Sequence, residues 1–468
     1  MEEKRILGKW WLPSDTETVL GGVLTVDSDG NSELELIDGL FEKDVDRVSM
    51  IHGIGDGRQI TVLGSFYKGK RSVYAQDEST VEMYQPGAVL VGVHLESPEM
   101  ELFDQIDVQV TNLTTWVRKS FISETGHVER DGEKVTSKSH EIKIAVGDST
   151  TVRLDAHQVQ LTLVHLVKHG GKKEAAWSRS INIDEEVTLR IVADSPRSWD
   201  GFDPTIKAVR DLITLASQCG AVVGRRRLLI NIDHRPMPYT VDLYVPIDGP
   251  IKDSQRRRDM LFCLDDVDLE TLMNKWVALS DQLGLPLDVL LGLDYITAGY
   301  YENRIFNVAS AGEGFHLGLY PNKQDIDSER HAAIKAKVLE AFEGEDLDWV
   351  RMRVNSNHPG LKDRYLQLAA HPDQEAVVKL LTDVETWARW LKKARNAIGH
   401  LNTNELDRAV PESARFYLTN ISKAFLHLVL LQELGLSPEI QRRAVGIVYS
   451  FLASQFKIAV EEDIANRR

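Results

Sequence analysis

Residues Gln374 to His400 read QEAVVKLLTDVETWARWLKKARNAIGH, and this stretch decides how the second half of the chain folds. Val377, Leu380, Leu381, Val384, Trp387, Ala388, Leu391, Ala394 and Ile398 recur at steps of three and four, which sets one apolar stripe on an α-helix. Asp383, Arg389, Lys392 and Lys393 fall on the other side, so the pattern predicts one long amphipathic helix over 374–399. Downstream, Pro411 suits a first helical position, Phe416, Ile421, Phe425, Leu428, Leu431 and Leu434 supply a second stripe, and Gly435 with Pro438 mark its stop. Two such helices, joined by about ten residues, pack as an antiparallel pair.

Working outward, further helical periodicity covers 204–219, 265–284, 286–318 with a break, 325–343 and 438–458. Two strands interrupt it within 222–246, where Leu228-Leu229-Ile230-Asn231-Ile232 and Thr240-Val241-Asp242-Leu243-Tyr244-Val245 are rich in β-formers. The first half has a different period. Ile106, Val108 and Val110 alternate with Asp107 and Gln109, and Val187, Leu189 and Ile191 alternate with Thr188 and Arg190, as half-buried strands do. Asp29-Gly30-Asn31, Gly55-Asp56-Gly57 and Gly170-Gly171 are turn sequences that tolerate positive φ. The period changes near Ser195-Pro196-Arg197-Ser198, so an α+β chain is expected. Its parts are an antiparallel β-sandwich or barrel-like domain over 1–197 and a mainly helical domain over 198–468, with a small strand insertion at about 221–247.

With 468 residues, 43% hydrophobic and 27% charged, the chain is long enough for two or three folded domains. No stretch reaches the roughly 18 to 20 apolar residues of a membrane span, and the N-terminus lacks the apolar core of an export signal, so a cytoplasmic location without membrane contact is expected. Cys219 and Cys263 cannot build a disulfide framework or a zinc site, and no metal or cofactor is expected. No Gly-rich phosphate loop, HExxH helix or nucleophile elbow occurs.

The net charge of −16 argues against a nucleic-acid partner only until its distribution is considered. Residues 1–200 carry 22 basic and 34 acidic side chains, whereas 351–400 hold nine basic against five acidic. The motif helix is the basic part. An acidic first half could cover that region and restrain it by mimicking substrate charge. Arg225-Arg226-Arg227 and Arg256-Arg257-Arg258 are further positive runs able to track a phosphate backbone or to sit solvated on a surface.

Arg395-Asn396-Ala397-Ile398-Gly399-His400 is the candidate for chemistry, and the residues alone equally allow a solvated helix end in which Arg395 and His400 cap the last carbonyls. Cleaving RNA through its 2′-hydroxyl needs a base, an acid and a counter-charge for the phosphorane oxygens, and it needs no metal. Histidine titrates near neutral pH, so His400 suits the acid or base role. Arg395 offers a planar fork of donors to phosphate oxygens, and Asn396 can orient the imidazole or a phosphate. Asn396 and His400 lie one turn apart on one face, but Arg395 is displaced from His400 by roughly 140°. One helix cannot aim all three at one atom unaided. A two-fold partner would bring both copies of the motif to one cleft, so a homodimer with a composite site is expected.

The bare Arg-x4-His spacing occurs three times, at Arg47–His52, Arg353–His358 and Arg395–His400. Only the third has Asn after Arg and a strong amphipathic helix around it. In those features it resembles the motif of the HEPN superfamily. Gly8-Lys9-Trp10-Trp11-Leu12-Pro13, Gly21-Gly22-Val23-Leu24-Thr25, Ile51-His52-Gly53 with Ile60-Thr61-Val62-Leu63, and Asn112-Leu113-Thr114-Thr115-Trp116, in that order, make the chain similar to the ApeA family of anti-phage defence proteins. That resemblance implies a β-rich N-terminal domain and a C-terminal HEPN endoribonuclease that cleaves RNA, tRNA included, in abortive infection after a phage-derived trigger. The resemblance also implies that Arg395, Asn396 and His400 are its catalytic residues. HEPN domains often carry an acidic residue on an earlier helix facing the motif, a place that Glu313 could fill, with a buried structural Glu as the alternative reading. Lys392, Lys393 and Trp390 are candidate RNA contacts, the last by stacking on a base, whereas Trp387 and His316 read as core. The rival from another class is a non-catalytic HEPN-like protein that dimerises or binds nucleotide or RNA beneath a β-sandwich sensor.

Overall fold

Strands in the first half bury alternate residues, and closing a sheet into a barrel is one way to leave no open backbone edge. A computed structural model of the protein describes every residue except 1–2, 40–45, 73–79, 132–133, 146, 148, 253, 297 and 468. It contains two compact units, Met1–Arg257 with Cys263–Asn274, and Arg258–Phe262 with Lys275–Arg468.

In the first unit, β1 (Lys4–Leu12), β2 (Asp15–Val26), β3 (Ser32–Ile37), β4 (Arg47–Gly55), β5 (Arg58–Ser72) and β6 (Thr80–Gln85) close a ring in the order β1-β2-β3-β6-β5-β4. Every pairing is antiparallel, and β4 returns to β1 to complete the barrel. Trp10 fills the interior with no solvent exposure. It lies opposite Gly53 in the β1–β4 register, where a Cβ would stand 2.2 Å from the indole, so only glycine fits beneath the ring. Gly22 is held to glycine in the same way, since its Cβ would meet the backbone oxygen of Glu35 at 2.4 Å. Trp10→Ala is expected to lower the unfolding free energy of this unit by about 3 to 5 kcal/mol, the usual cost of an emptied aromatic site. Urea denaturation measures it, and a loss under about 1 kcal/mol would show that the barrel collapses onto the void.

The sheet continues past the barrel because β5 changes partner along one edge. Ile60–Leu63 pair with β7 (Ala88–Val91), and Phe66–Ser72 pair with β6. The change falls at Gly64, whose φ of +59° puts the kink where L side chains are strained. From β7 the order runs β15 (Tyr239–Tyr244), β14 (Val223–Ile230), β8 (Phe103–Val110), β13 (Ser178–Arg197), β12 (Val159–Ala175) and β11 (Thr150–Leu154). A separate hairpin joins β9 (Ile122–Asp131) to β10 (Lys134–Ile144). The two strands expected within 222–246 are therefore present, but their hydrogen-bond partners are β7 and β8, and the first unit runs on to Arg257. Two helices accompany this sheet, α1 (Leu113–Val117) and the largely buried α2 (Asp203–Ser217). The far ends of β12 and β13 leave the sheet as an exposed arm with Trp177 98% exposed at its tip.

Helix α3 (Leu269–Leu283) follows. The second unit then carries α4 (Leu285–Gly292), α5 (Tyr301–Leu319), α6 (Ser328–Glu340), α7 (Gly344–Val354), α8 (Leu361–Ala369), α9 (Gln374–Leu381), α10 (Val384–Gly399), α11 (Thr403–Ala409), α12 (Glu412–Glu433), α13 (Pro438–Arg443) and α14 (Ser450–Arg467). No single described helix is long and apolar enough to cross a membrane. The single helix expected over 374–399 is two. Thr382, at φ 61° and ψ −60°, ends α9, and the Asp383 carboxylate accepts the Thr386 N–H at 2.7 Å to start α10. Asp383 acts as a helix cap, which its place on a polar helical face did not suggest. Trp387 packs on Phe425 of α12 and Tyr365 of α8, with ring centroids 4.6 and 5.8 Å away, and donates its indole N–H to Ser422 Oγ at 2.9 Å. Those contacts fix α10 against the helices that shape the motif's surroundings.

Candidate functional site

The motif occupies the last turn of α10 and the joint that follows it. Arg395 and Asn396 are half-buried, and Gly399 and His400 are exposed. The helix closes with a left-handed residue: Leu401, at φ 53°, donates its N–H to Ile398 O at 3.0 Å, and Asn402 N–H reaches Ala397 O at 2.8 Å. Glycine usually takes this place, because a side chain there costs about 1 kcal/mol or more. Asn402 then caps α11 by accepting the Glu405 N–H at 3.1 Å. His400 is thereby held at a short bend between two helices. Neither its imidazole nor the Asn396 amide has a hydrogen-bond partner among the described residues.

Arg395 turns toward α5. Its Nη2 donates to Glu313 Oε2 at 3.3 Å, and its guanidinium stands 5.7 Å from the Phe306 ring centroid. Glu313 also accepts a 2.9 Å hydrogen bond from Arg364 Nη1 on α8, so one carboxylate bridges two guanidinium groups. The two cations outnumber their acceptor, and Arg395 Nε is buried without a partner. Glu313 engages only Nη2 of Arg395, whose side chain is one-third exposed, so the exposed part of the guanidinium keeps donors for an oxyanion. α8 is itself pinned to α5 by the Tyr365 hydroxyl, which donates to Ala309 O at 2.9 Å.

Beside the motif lies a cavity of about 450 Å³ lined by Tyr300, Asn303, Arg304, Phe306 and Asn307 of α5 and its approach, and by Ile398, Gly399 and Leu401. Gly399 backs onto Phe306, whose ring a Cβ would meet at 3.4 Å. Leu401 is 90% exposed and Tyr300 79%, so an apolar rim surrounds the end of α10.

Each expected site residue can now be placed. Glu313 stands beside Arg395, and Lys392 and Lys393 are exposed on the preceding turn. Trp390 requires a correction: it is fully buried, edge-on to Phe456 of α14 at 5.9 Å, and presents no surface for a base. Helix α10 is covered on a second side by α14, so a residue off the main stripe is still core. His316 is buried with Nε2 2.7 Å from Gln367 Oε1, and burial lowers its pKa, as suits a packing residue. No hydrogen bond or ion pair joins Arg395 to His400 among the described residues. Sequence reasoning missed Arg364, which lies on a helix that periodicity did not reveal. It also missed Asn303 and Asn307, although their four-residue spacing placed both amides on one helical face.

Leu401→Gly is expected to raise the unfolding stability by about 1 kcal/mol through relief of the left-handed strain. Thermal unfolding of dilute protein reads it, and a destabilised variant would mean that Leu401 packs within its own chain.

Two family models match the chain. ApeA N-terminal domain 1 covers residues 5–276, and Apea-like HEPN covers residues 306–440, a span that holds Phe306, Glu313, Arg364, Arg395, Asn396 and His400. No curated protein and no solved structure matches.

Proposed function

The chain belongs to the ApeA family and carries an ApeA-like HEPN domain, and from that premise we propose that it is an anti-phage endoribonuclease cleaving RNA, with tRNA a substrate class, by 2′-hydroxyl transesterification. At the level of the family this is a defence-associated HEPN nuclease. In the proposed reaction His400 takes or gives the proton, Arg395 neutralises the phosphorane, and Asn396 orients one of them. Lys392 and Lys393 draw the backbone toward the helix end.

One observation carries this reading. Glu313 holds Nη2 of Arg395, whose side chain stays one-third exposed, and among the described residues His400 stands exposed without a partner on the next turn. A fixed cation and an available imidazole are what a phosphodiester-cleaving site requires. The apolar rim of Ile296, Tyr300 and Leu401 supports the second part of the proposal, a two-fold homodimer that brings both copies of the motif to one cleft. Leu401→Gly should therefore also weaken self-association in sedimentation.

Sequencing of RNA ends from cells expressing the protein tests the activity. Discrete new ends carrying 2′,3′-cyclic phosphate are expected with the wild type and not with His400→Ala. Identical ends in both would count against catalysis and favour a binding protein.

A further inference from the structure

The arginine run of β14 resolves into three different environments. Arg226 pairs with Asp203 at 2.9 Å, and Arg227 lies 3.6 Å from Asp242. Arg225 is exposed and has no hydrogen bond or ion pair among the described residues. A bulge explains the difference. Val223 pairs with Val110 and Arg226 with Val108, so β14 carries an extra residue over this interval, and the bulge re-aims Arg225 out of the ladder.

Arg225 lines a cavity of about 960 Å³ in the first unit, at the upper end of small-molecule pockets. Two acids share the lining, and both are already occupied. Glu186 accepts from Lys168 at 2.8 Å and Gln109 at 3.0 Å, and Asp242 accepts from Arg58 at 2.9 Å. Lys4, in the same lining, donates to the Tyr244 hydroxyl and has no carboxylate partner among the described residues. Thr111 and Thr114 use their oxygens to accept the Val222 and Val187 N–H groups, and Asn112 Oδ1 accepts from Gln255 N–H. In each case the acceptor is engaged, and the hydroxyl or amide hydrogens remain to donate. The lining thus combines donors and positive charge with apolar side chains, among them Val110, Leu243 and Ile247.

We propose that this cavity binds a nucleoside phosphate, its phosphate held by Arg225 and Lys4 and its nucleoside on the apolar side chains. Inorganic phosphate would leave those side chains uncovered, and an uncharged nucleoside would leave the two cations unused. Its lining residues belong to the first unit and the motif to the second.

The test is isothermal titration of the full chain carrying Arg395→Ala, which removes phosphate contacts in the other unit. The probes are the four ribonucleoside monophosphates and triphosphates, adenosine and inorganic phosphate. At least one nucleotide should bind about tenfold more tightly than adenosine or phosphate, and Arg225→Ala should weaken it about tenfold, the scale of a charge-assisted contact. Arg179→Ala, on the exposed hairpin arm, should leave binding unchanged. Absence of binding by every nucleotide, equal binding by Arg225→Ala, or equal weakening by Arg179→Ala would overturn the assignment.

Discussion

His400→Ala is expected to lower the rate of RNA cleavage by about a hundred- to ten-thousand-fold, the range that a positioned acid or base contributes, with no change in thermal midpoint. The imidazole is exposed and unpartnered among the described residues, so its removal takes nothing from the fold. Cleavage of an end-labelled RNA and a melting curve on the same preparation measure both quantities. Retention of full activity would end the assignment. A variant that loses activity only because it unfolds would be exposed by the melt.

Arg395→Ala should cost about a hundred- to a thousand-fold, as removal of one transition-state donor does. Its stability penalty stays within about 1 kcal/mol, because the ion pair with Glu313 is partly exposed and long at 3.3 Å. Arg395→Lys keeps the charge and loses the planar fork, so its rate should fall between wild type and Ala. Glu313→Gln keeps the shape of the anchor without its charge. It should slow cleavage less than Arg395→Ala while leaving His400 untouched. If Arg395→Lys cleaves as slowly as Ala, the guanidinium geometry matters more than its charge. If Arg395→Ala cleaves normally, the cation is structural.

The legibility of this chain varied with the range of the interaction. The amphipathic stripe around Trp387 and the polar end at Arg395–His400 are local patterns, and both could be read directly. The break at Thr382 could not, because Asp383 fits a polar face and a helix cap equally well until Thr386 is seen beneath it. Trp390 misled for a related reason: periodicity counts one buried face, and Phe456 of α14, 66 residues downstream, supplies a second. Strands β14 and β15 were recognisable as strands, but nothing in a strand's own sequence names its neighbour. A deletion ending at residue 195 would keep those two strands and remove every partner but each other. Activity of such a fragment would reflect misfolding as much as release from restraint.

That same topology dictates an order of events during synthesis. Between β7 and β8 the sheet has a gap two strands wide, filled only when residues 223–244 arrive. While the ribosome is still making α2, both flanking strands present open backbone edges to their surroundings. A nascent chain stalled there is the form most exposed to aggregation, and synthesis through Tyr244 is the step that seals it.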